Sequence, residues 1–262
     1  MKLPLYQIDA FTDMIFRGNP ACVVPLKEWL PDEILLKIAQ ENAVAETAYF
    51  IEKGDKVHLR WFTPEIEMDL CGHATLAASH TLKEILKYPA ERIIFETLSG
   101  DLEVVVKNGL YTLDFPSRNP TSKKLPQLLA DSISTPPEEV LKARDFVLVF
   151  KSEDDVRNIE INRLYFDQLD LGTGGVIFTA PGKDSDFVSR FFTPRATVFE
   201  DPVTGSAHCS LIPYWSKRLG KPEMLAKQIS PKGGTLICNN LGERVLISGK
   251  ARTYSMGNLW TE

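Results

Sequence analysis

Short runs in which apolar and polar residues alternate with period two dominate the chain. They predict strands over residues 2–8, 21–24, 47–51, 57–62 and 92–96. A hairpin follows, with strands over 103–107 and 110–115 around Asn108-Gly109. That pair tolerates the positive φ angles of a type I′ turn. Further strands are predicted over 146–150, 176–179, 189–192, 235–238 and 244–248. Three segments carry a helical period instead. Residues 32–42 start with Pro31 and Asp32 and put Ile34, Leu35, Ile38 and Ala39 on one face. Residues 73–87 line up Ala74, Ala77, Ala78, Thr81, Leu82, Ile85 and Leu86 on a single stripe, which should be buried against a sheet. Residues 207–219 repeat the idea with Ala207, Leu211, Tyr214, Trp215 and Leu219. The stretch from Pro116 to Pro126 has no period and reads as a linker near the middle of the chain.

The two halves resemble each other. Arg60-Trp61-Phe62-Thr63-Pro64 leads to Cys71-Gly72-His73-Ala74 at a helix start, and Arg190-Phe191-Phe192-Thr193-Pro194 leads to Gly205-Ser206-Ala207 at another. The R-x-F-T-P motifs are 130 residues apart and the glycines 133, so three residues are inserted in the second half. Upstream, Ala48-Tyr49-Phe50 matches Val176-Ile177-Phe178. A repeated strand–loop–Gly–helix unit suggests two similar halves whose matching loops converge on one cleft. The free N–H groups of each helix start favour an anion, and Gly72 and Gly205 let backbone approach a ligand closely.

Composition narrows the function classes. With 262 residues, 44% hydrophobic and 25% charged, the chain can build a large core without staples. A net charge of −5 argues against a nucleic-acid binder held by general phosphate attraction. The longest apolar runs are too short for a membrane span, and the N-terminus does not read as a secretory signal. Cys22, Cys71, Cys209 and Cys238 are isolated, which suits a reducing cytoplasm. No C-x-x-C or His-x-x-x-His pair points to a metal, and no G-x-G-x-x-G or P-loop points to a cofactor. The partner expected is therefore a small carboxylate, with a homodimer left open.

Gly18-Asn19-Pro20-Ala21, Ala45-Glu46-Thr47-Ala48, Arg60–Pro64, Leu70-Cys71-Gly72-His73-Ala74-Thr75 and Glu200-Asp201-Pro202-Val203-Thr204-Gly205-Ser206-Ala207 together resemble the phenazine-biosynthesis PhzF-like proteins. The motifs come in the family's order across nearly the whole chain. The resemblance implies an α+β protein of the diaminopimelate epimerase-like fold. Each half would be a curved, mostly antiparallel, barrel-like sheet around a central helix, the first over 1–118 with 250–262 and the second over 119–249. The family's characterised members isomerise a dihydro-hydroxyanthranilate without a cofactor. Carried onto this chain, Glu46 is the proton shuttle, with His73, Asp201 and Ser206 lining the cleft. Asn19, Gly72, Ala74, Gly174, Gly205, Ala207 and Gly233 would contact substrate.

The residues support parts of this on their own. A carboxylate at the head of an apolar strand, as Glu46 is, suits acid–base work. His73, in the first turn of a helix, is expected to be neutral. Ser206 is its counterpart and has no nucleophile elbow around it. Either Glu200 or Asp201 could face the site; the resemblance favours Asp201. Lys232 stands where many relatives have Arg, a weaker carboxylate grip. The position matching Cys71 is Thr204, and Gly174 matches Glu46. One acid–base residue without a counterpart fits a proton shift on one face of a substrate better than two-cysteine racemisation. A Cys71-dependent epimerase and a non-catalytic binder remain as alternatives.

Overall fold

The computed structural model describes residues 1–261. In chain order its elements are β1 (Lys2–Ala10), β2 (Asn19–Pro25), α1 (Asp32–Asn42), β3 (Glu46–Lys53), β4 (Lys56–Phe62), β5 (Glu67–Met68), α2 (Gly72–His80), β6 (Arg92–Thr97), β7 (Gly100–Lys107) and β8 (Leu110–Pro116). Then come β9 (Thr121–Ser122), α3 (Gln127–Asp131), β10 (Glu139–Lys142), β11 (Phe146–Val149), α4 (Glu153–Asn158), α5 (Arg163–Phe166), β12 (Val176–Pro181), β13 (Phe187–Phe192), β14 (Glu200–Asp201), α6 (Gly205–Leu219), β15 (Glu223–Gln228), β16 (Gly234–Asn240), β17 (Arg244–Gly249) and β18 (Ala251–Trp260). The chain is a mixed α+β protein that divides into two units: Met1–Phe115 with the segment from Leu246 onward, and Pro116–Val245. Among the described residues, no helix is long and apolar enough to cross a membrane.

The first unit pairs β1 antiparallel with β18 and β2. β2 runs parallel to β3, β3 antiparallel to β4, β4 parallel to β6, and β6, β7 and β8 follow antiparallel. The second unit repeats this order. β10 pairs antiparallel with β11, β11 runs parallel to β12, β12 is antiparallel to β13, β13 parallel to β15, and β15 antiparallel to β16. In both units the helix of interest, α2 or α6, enters after a two-residue strand paired to the R-x-F-T-P strand.

The repeat is fastened by the same ion pair. Arg60 grips Glu67 at 2.6 and 2.7 Å, and Arg190 grips Glu200 at 2.7 and 2.8 Å. The separations along the chain are seven and ten residues, so the three-residue insertion lies between the partners and the fork closes over it. Two parallel N–H···O bonds per pair fix direction as well as distance.

Helix α2 departs from the expected amphipathic pattern. All nine of its residues are buried, and it packs against β1, β2, β3, β7 and β18. Small side chains allow that approach on every side. Three hydroxyls are satisfied within the helix: Thr75 donates to the Cys71 carbonyl at 2.5 Å, Ser79 to Thr75 at 2.8 Å and Thr81 to Ala77 at 3.0 Å. The α-helix does not run on to residue 87 either. It widens to a π turn over Thr81–Ile85, closed by the Leu86 N–H on the Thr81 carbonyl at 2.9 Å.

Helix α6 contains Pro213. Proline lacks the N–H that would satisfy the carbonyl four residues earlier. That carbonyl belongs to Cys209, and the Arg118 N–H fills it at 2.9 Å. The stretch read as a linker therefore supplies a structural bond.

Candidate active site

In the first unit Glu46 opens β3, directly opposite Ala21 of β2. His73 is the second residue of α2. Its Nε2 lies 3.1 Å from Glu46 Oε2, with side-chain exposures of 3% and 15%. The two atoms are close but not aligned for a hydrogen bond, and neither has another hydrogen-bond partner among the described residues. On the other side of the ring, His73 Nδ1 lies 3.5 Å from Cys71 Sγ. Cys71 is the N-cap of this helix.

The charge state of His73 differs from the expectation of a neutral ring. Burial disfavours its imidazolium, but the neighbouring Cys71 sulfur and Glu46 carboxyl group more than offset that, and the ring is held well above its usual value. Cys71 goes the other way: burial and the neighbouring Glu46 push its thiol up to about 11, against the pull of His73. Ligand-type atoms of Glu46, Cys71 and His73 lie within 4.8 Å of one another, the spacing of a metal-binding set. A divalent ion there would have to displace a proton from a buried thiol and another from a stabilised imidazolium. The donor set is thus better suited to holding protons.

Asn19 is fully buried at the start of β2. Gly18 before it has a φ of +70°, and a Cβ there would meet the Ala10 carbonyl oxygen at 2.2 Å. Only glycine allows that turn. Gly72 and Ala74 are in the buried first turn of α2.

In the second unit, Thr204 is the N-cap of α6, with Gly205, Ser206 and Ala207 in its buried first turn and no side-chain cap. The Thr204 hydroxyl donates to Asp201 Oδ2 at 2.5 Å. Because Glu200 is taken by Arg190, Asp201 is the carboxylate oriented toward the helix start. Gln228, fully buried, holds this corner. Its Oε1 accepts the Thr204 N–H at 2.8 Å, and its Nε2 donates to the Asp201 carbonyl at 2.7 Å. Gly233 sits in a turn at a φ of +65°. Its N–H donates to Ser230 Oγ at 3.0 Å, and Ser230 in turn donates to the Pro202 carbonyl at 2.8 Å.

The matching positions carry different chemistry. Where the first unit has Glu46, the second has Gly174, and a Cβ there would lie 2.9 Å from the Arg144 carbonyl oxygen. Where the first unit has His73 beside a carboxylate, the second has Ser206 beside a guanidinium: Arg144 Nη2 donates to Ser206 Oγ at 3.1 Å. Arg144 and Gln228 were not singled out from sequence. Arg144 lies two residues before β11. Gln228 carries no local signal at all.

Comparison with known proteins agrees with this architecture. Residues 8–257 match the family described as phenazine biosynthesis-like protein. An uncharacterised isomerase from Pseudomonas aeruginosa is 45% identical, the match covering 99% of each chain. A crystal structure of a PhzF-family phenazine biosynthesis protein from Enterococcus faecalis superposes with a TM-score of 0.94 at 42% identity, covering 100% of both chains. The likeness of fold alone extends to a hydroxyproline epimerase from Agrobacterium vitis, with a TM-score of 0.64 at 12% identity over 98% of this chain and 92% of that one.

Proposed function

Since this chain belongs to the phenazine biosynthesis-like PhzF family, we propose that it is an isomerase for a small carboxylate-bearing metabolite, with Glu46 as its acid–base residue and no cofactor in the step. The observation that carries this reading is the approach of Glu46 Oε2 to His73 Nε2 at 3.1 Å without hydrogen-bond alignment. A carboxylate held beside an imidazolium, but not locked to it, keeps a lone pair for substrate. Glu46 takes a proton from a substrate C–H, and the electron pair moves into the adjoining unsaturated system. The same carboxyl group then returns the proton to another carbon on the same face. His73, as the imidazolium, offsets the negative charge that develops. Relatives bearing the name isomerase support the reaction class.

The test is a panel of unsaturated carboxylic acids in D₂O, followed by proton NMR for positional exchange and double-bond shift. Glu46→Gln should lower the rate by about 10²–10⁴-fold in a protein with unchanged thermal unfolding. Equal turnover by the variant would refute the assignment.

A second reading has one observation behind it, the 3.5 Å contact of Cys71 Sγ with His73 Nδ1. A thiol pushed up to about 11 is a poor base at neutral pH. Cys71→Ser should therefore leave exchange within about tenfold of wild type, whereas a cysteine-dependent epimerase would be inactivated.

A further inference from the structure

The second unit holds guanidinium donors near the start of α6 that its own acceptors do not answer. Arg144 uses Nε on Asp145 at 3.2 Å and Nη2 on Ser206 Oγ at 3.1 Å, while its Nη1 is buried with no partner among the described residues. Asp145 is itself shared, accepting the Gly175 N–H at 2.8 Å. Arg118, tied to α6 through the Cys209 carbonyl, also has a buried Nη1 without a partner. Both guanidinium groups act on the buried Cys209 thiol, opposing the rise that burial causes, and Asp145 is the carboxylate felt there. With Asp145 serving Arg144 and Gly175, and Asp201 bonded to Thr204, one buried guanidinium nitrogen of each arginine is left as an unanswered donor.

We propose that Arg144 is a positioning residue that makes Ser206 the donor of an oxyanion site, one that takes a carboxylate in preference to a neutral carboxamide. A serine oxygen that accepts from an arginine has only its own O–H left to donate. Arg144 thereby fixes the polarity of Ser206: its hydrogen is directed away from the guanidinium, toward whatever occupies the helix start. The guanidinium charge then favours an anion over a neutral isostere. A lysine at this position would keep the charge but lose the fork that serves Asp145 and Ser206 together. The inference stands on the second unit alone and does not require Glu46 to move a proton.

The experiment titrates ¹⁵N-labelled full-length protein with isobutyrate and with isobutyramide, following the Gly205 and Ser206 amides. Wild type should bind the carboxylate about tenfold or more tightly than the amide, the range expected of one charge-assisted contact. Arg144→Met should cut that preference to about twofold or less, Arg144→Lys should restore part of it, and Ser206→Ala should abolish it. If Arg144→Met does not fold, Arg144→Lys and Ser206→Ala decide the matter. Equal affinities in wild type, no shift of either amide at 100 mM isobutyrate (about the weakest affinity that counts), or an undiminished preference in Ser206→Ala would overturn the proposal. These outcomes are read from binding, so they are separate from the turnover that tests Glu46.

Discussion

His73 Nε2 and Glu46 Oε2 are 3.1 Å apart at the start of α2 and the head of β3, brought together from 27 residues apart in sequence by the parallel pairing of β2 with β3 and the packing of α2 on both. A carboxylate this close to a buried imidazole favours the imidazole's charged form.

The first prediction follows from that pair. His73 is held above the unfolded value of about 6.5. A raised folded value means that its stabilisation is complete below the unfolded value and is lost as pH rises through the folded one. Removing the carboxylate with Glu46→Gln should lower the His73 titration midpoint, read from its ring Cε1 proton by NMR. An unmoved midpoint would show that Glu46 does not hold the imidazolium.

The acid side belongs to other histidines. Burial holds His80 and His208 down to about 4, in each case against a smaller opposing influence. His80 is bonded to the Tyr111 hydroxyl at 2.9 Å and the Thr253 hydroxyl at 2.8 Å, and His208 to the Thr204 carbonyl at 2.9 Å. The unfolded chain binds more protons than the folded one between about 6.5 and 4, so stability is full above that window and falls as pH drops through it. Each histidine accounts for roughly 3 kcal/mol by the acid end. Denaturant unfolding at pH 7 and pH 4.5 should show the loss, and His208→Gln should make it smaller.

Gly18→Ala should destabilise the protein by about 2 kcal/mol or more, because it combines a φ of +70° with a 2.2 Å clash against a backbone oxygen. Thermal unfolding checks this. The Asn19 amide resonance should shift in the same variant, since the turn sets where β2 begins.

Arg190→Met should cost about 1–3 kcal/mol, as it strands a half-buried Glu200. It should also disturb the neighbouring corner. With Glu200 released, Asp201 loses the constraint that aims it at Thr204, and the Thr204 amide should show increased exchange. Arg60→Met should cost a similar amount without touching Thr204. Equal Thr204 exchange in both variants would sever Glu200 from the Asp201 corner.

Much of the fold was legible because it is periodic. The alternation of β3, β4, β12 and β13, the Asn108-Gly109 hairpin and the Gly–helix junctions are local patterns, and the repeat doubles each signal. Strand β15, with the sequence Glu-Met-Leu-Ala-Lys-Gln, carries no local strand signal, because its residues favour a helix and only pairing with β13 and β16 makes it a strand. The end of α2 is hidden in the sequence for a related reason: residues 81–87 keep an apolar helical spacing, while the structure widens to a π turn over Thr81–Ile85.

The sequence by itself determined which side chains are available: one glutamate with no partner in the other half, a histidine and a serine at matching helix starts, and glycine where a Cβ would clash. Those are chemical identities, and no packing can alter them. The tertiary structure decided their states. It raised the basicity of His73 by setting Cys71 and Glu46 beside it, pushed the Cys71 thiol up by burying it, assigned Glu200 to Arg190 and so left Asp201 to Thr204, and turned Arg144 toward Ser206. Charge state and hydrogen-bond polarity depend on distances of a few ångströms between residues remote in the chain, and such distances exist only once the sheets have formed around the helices.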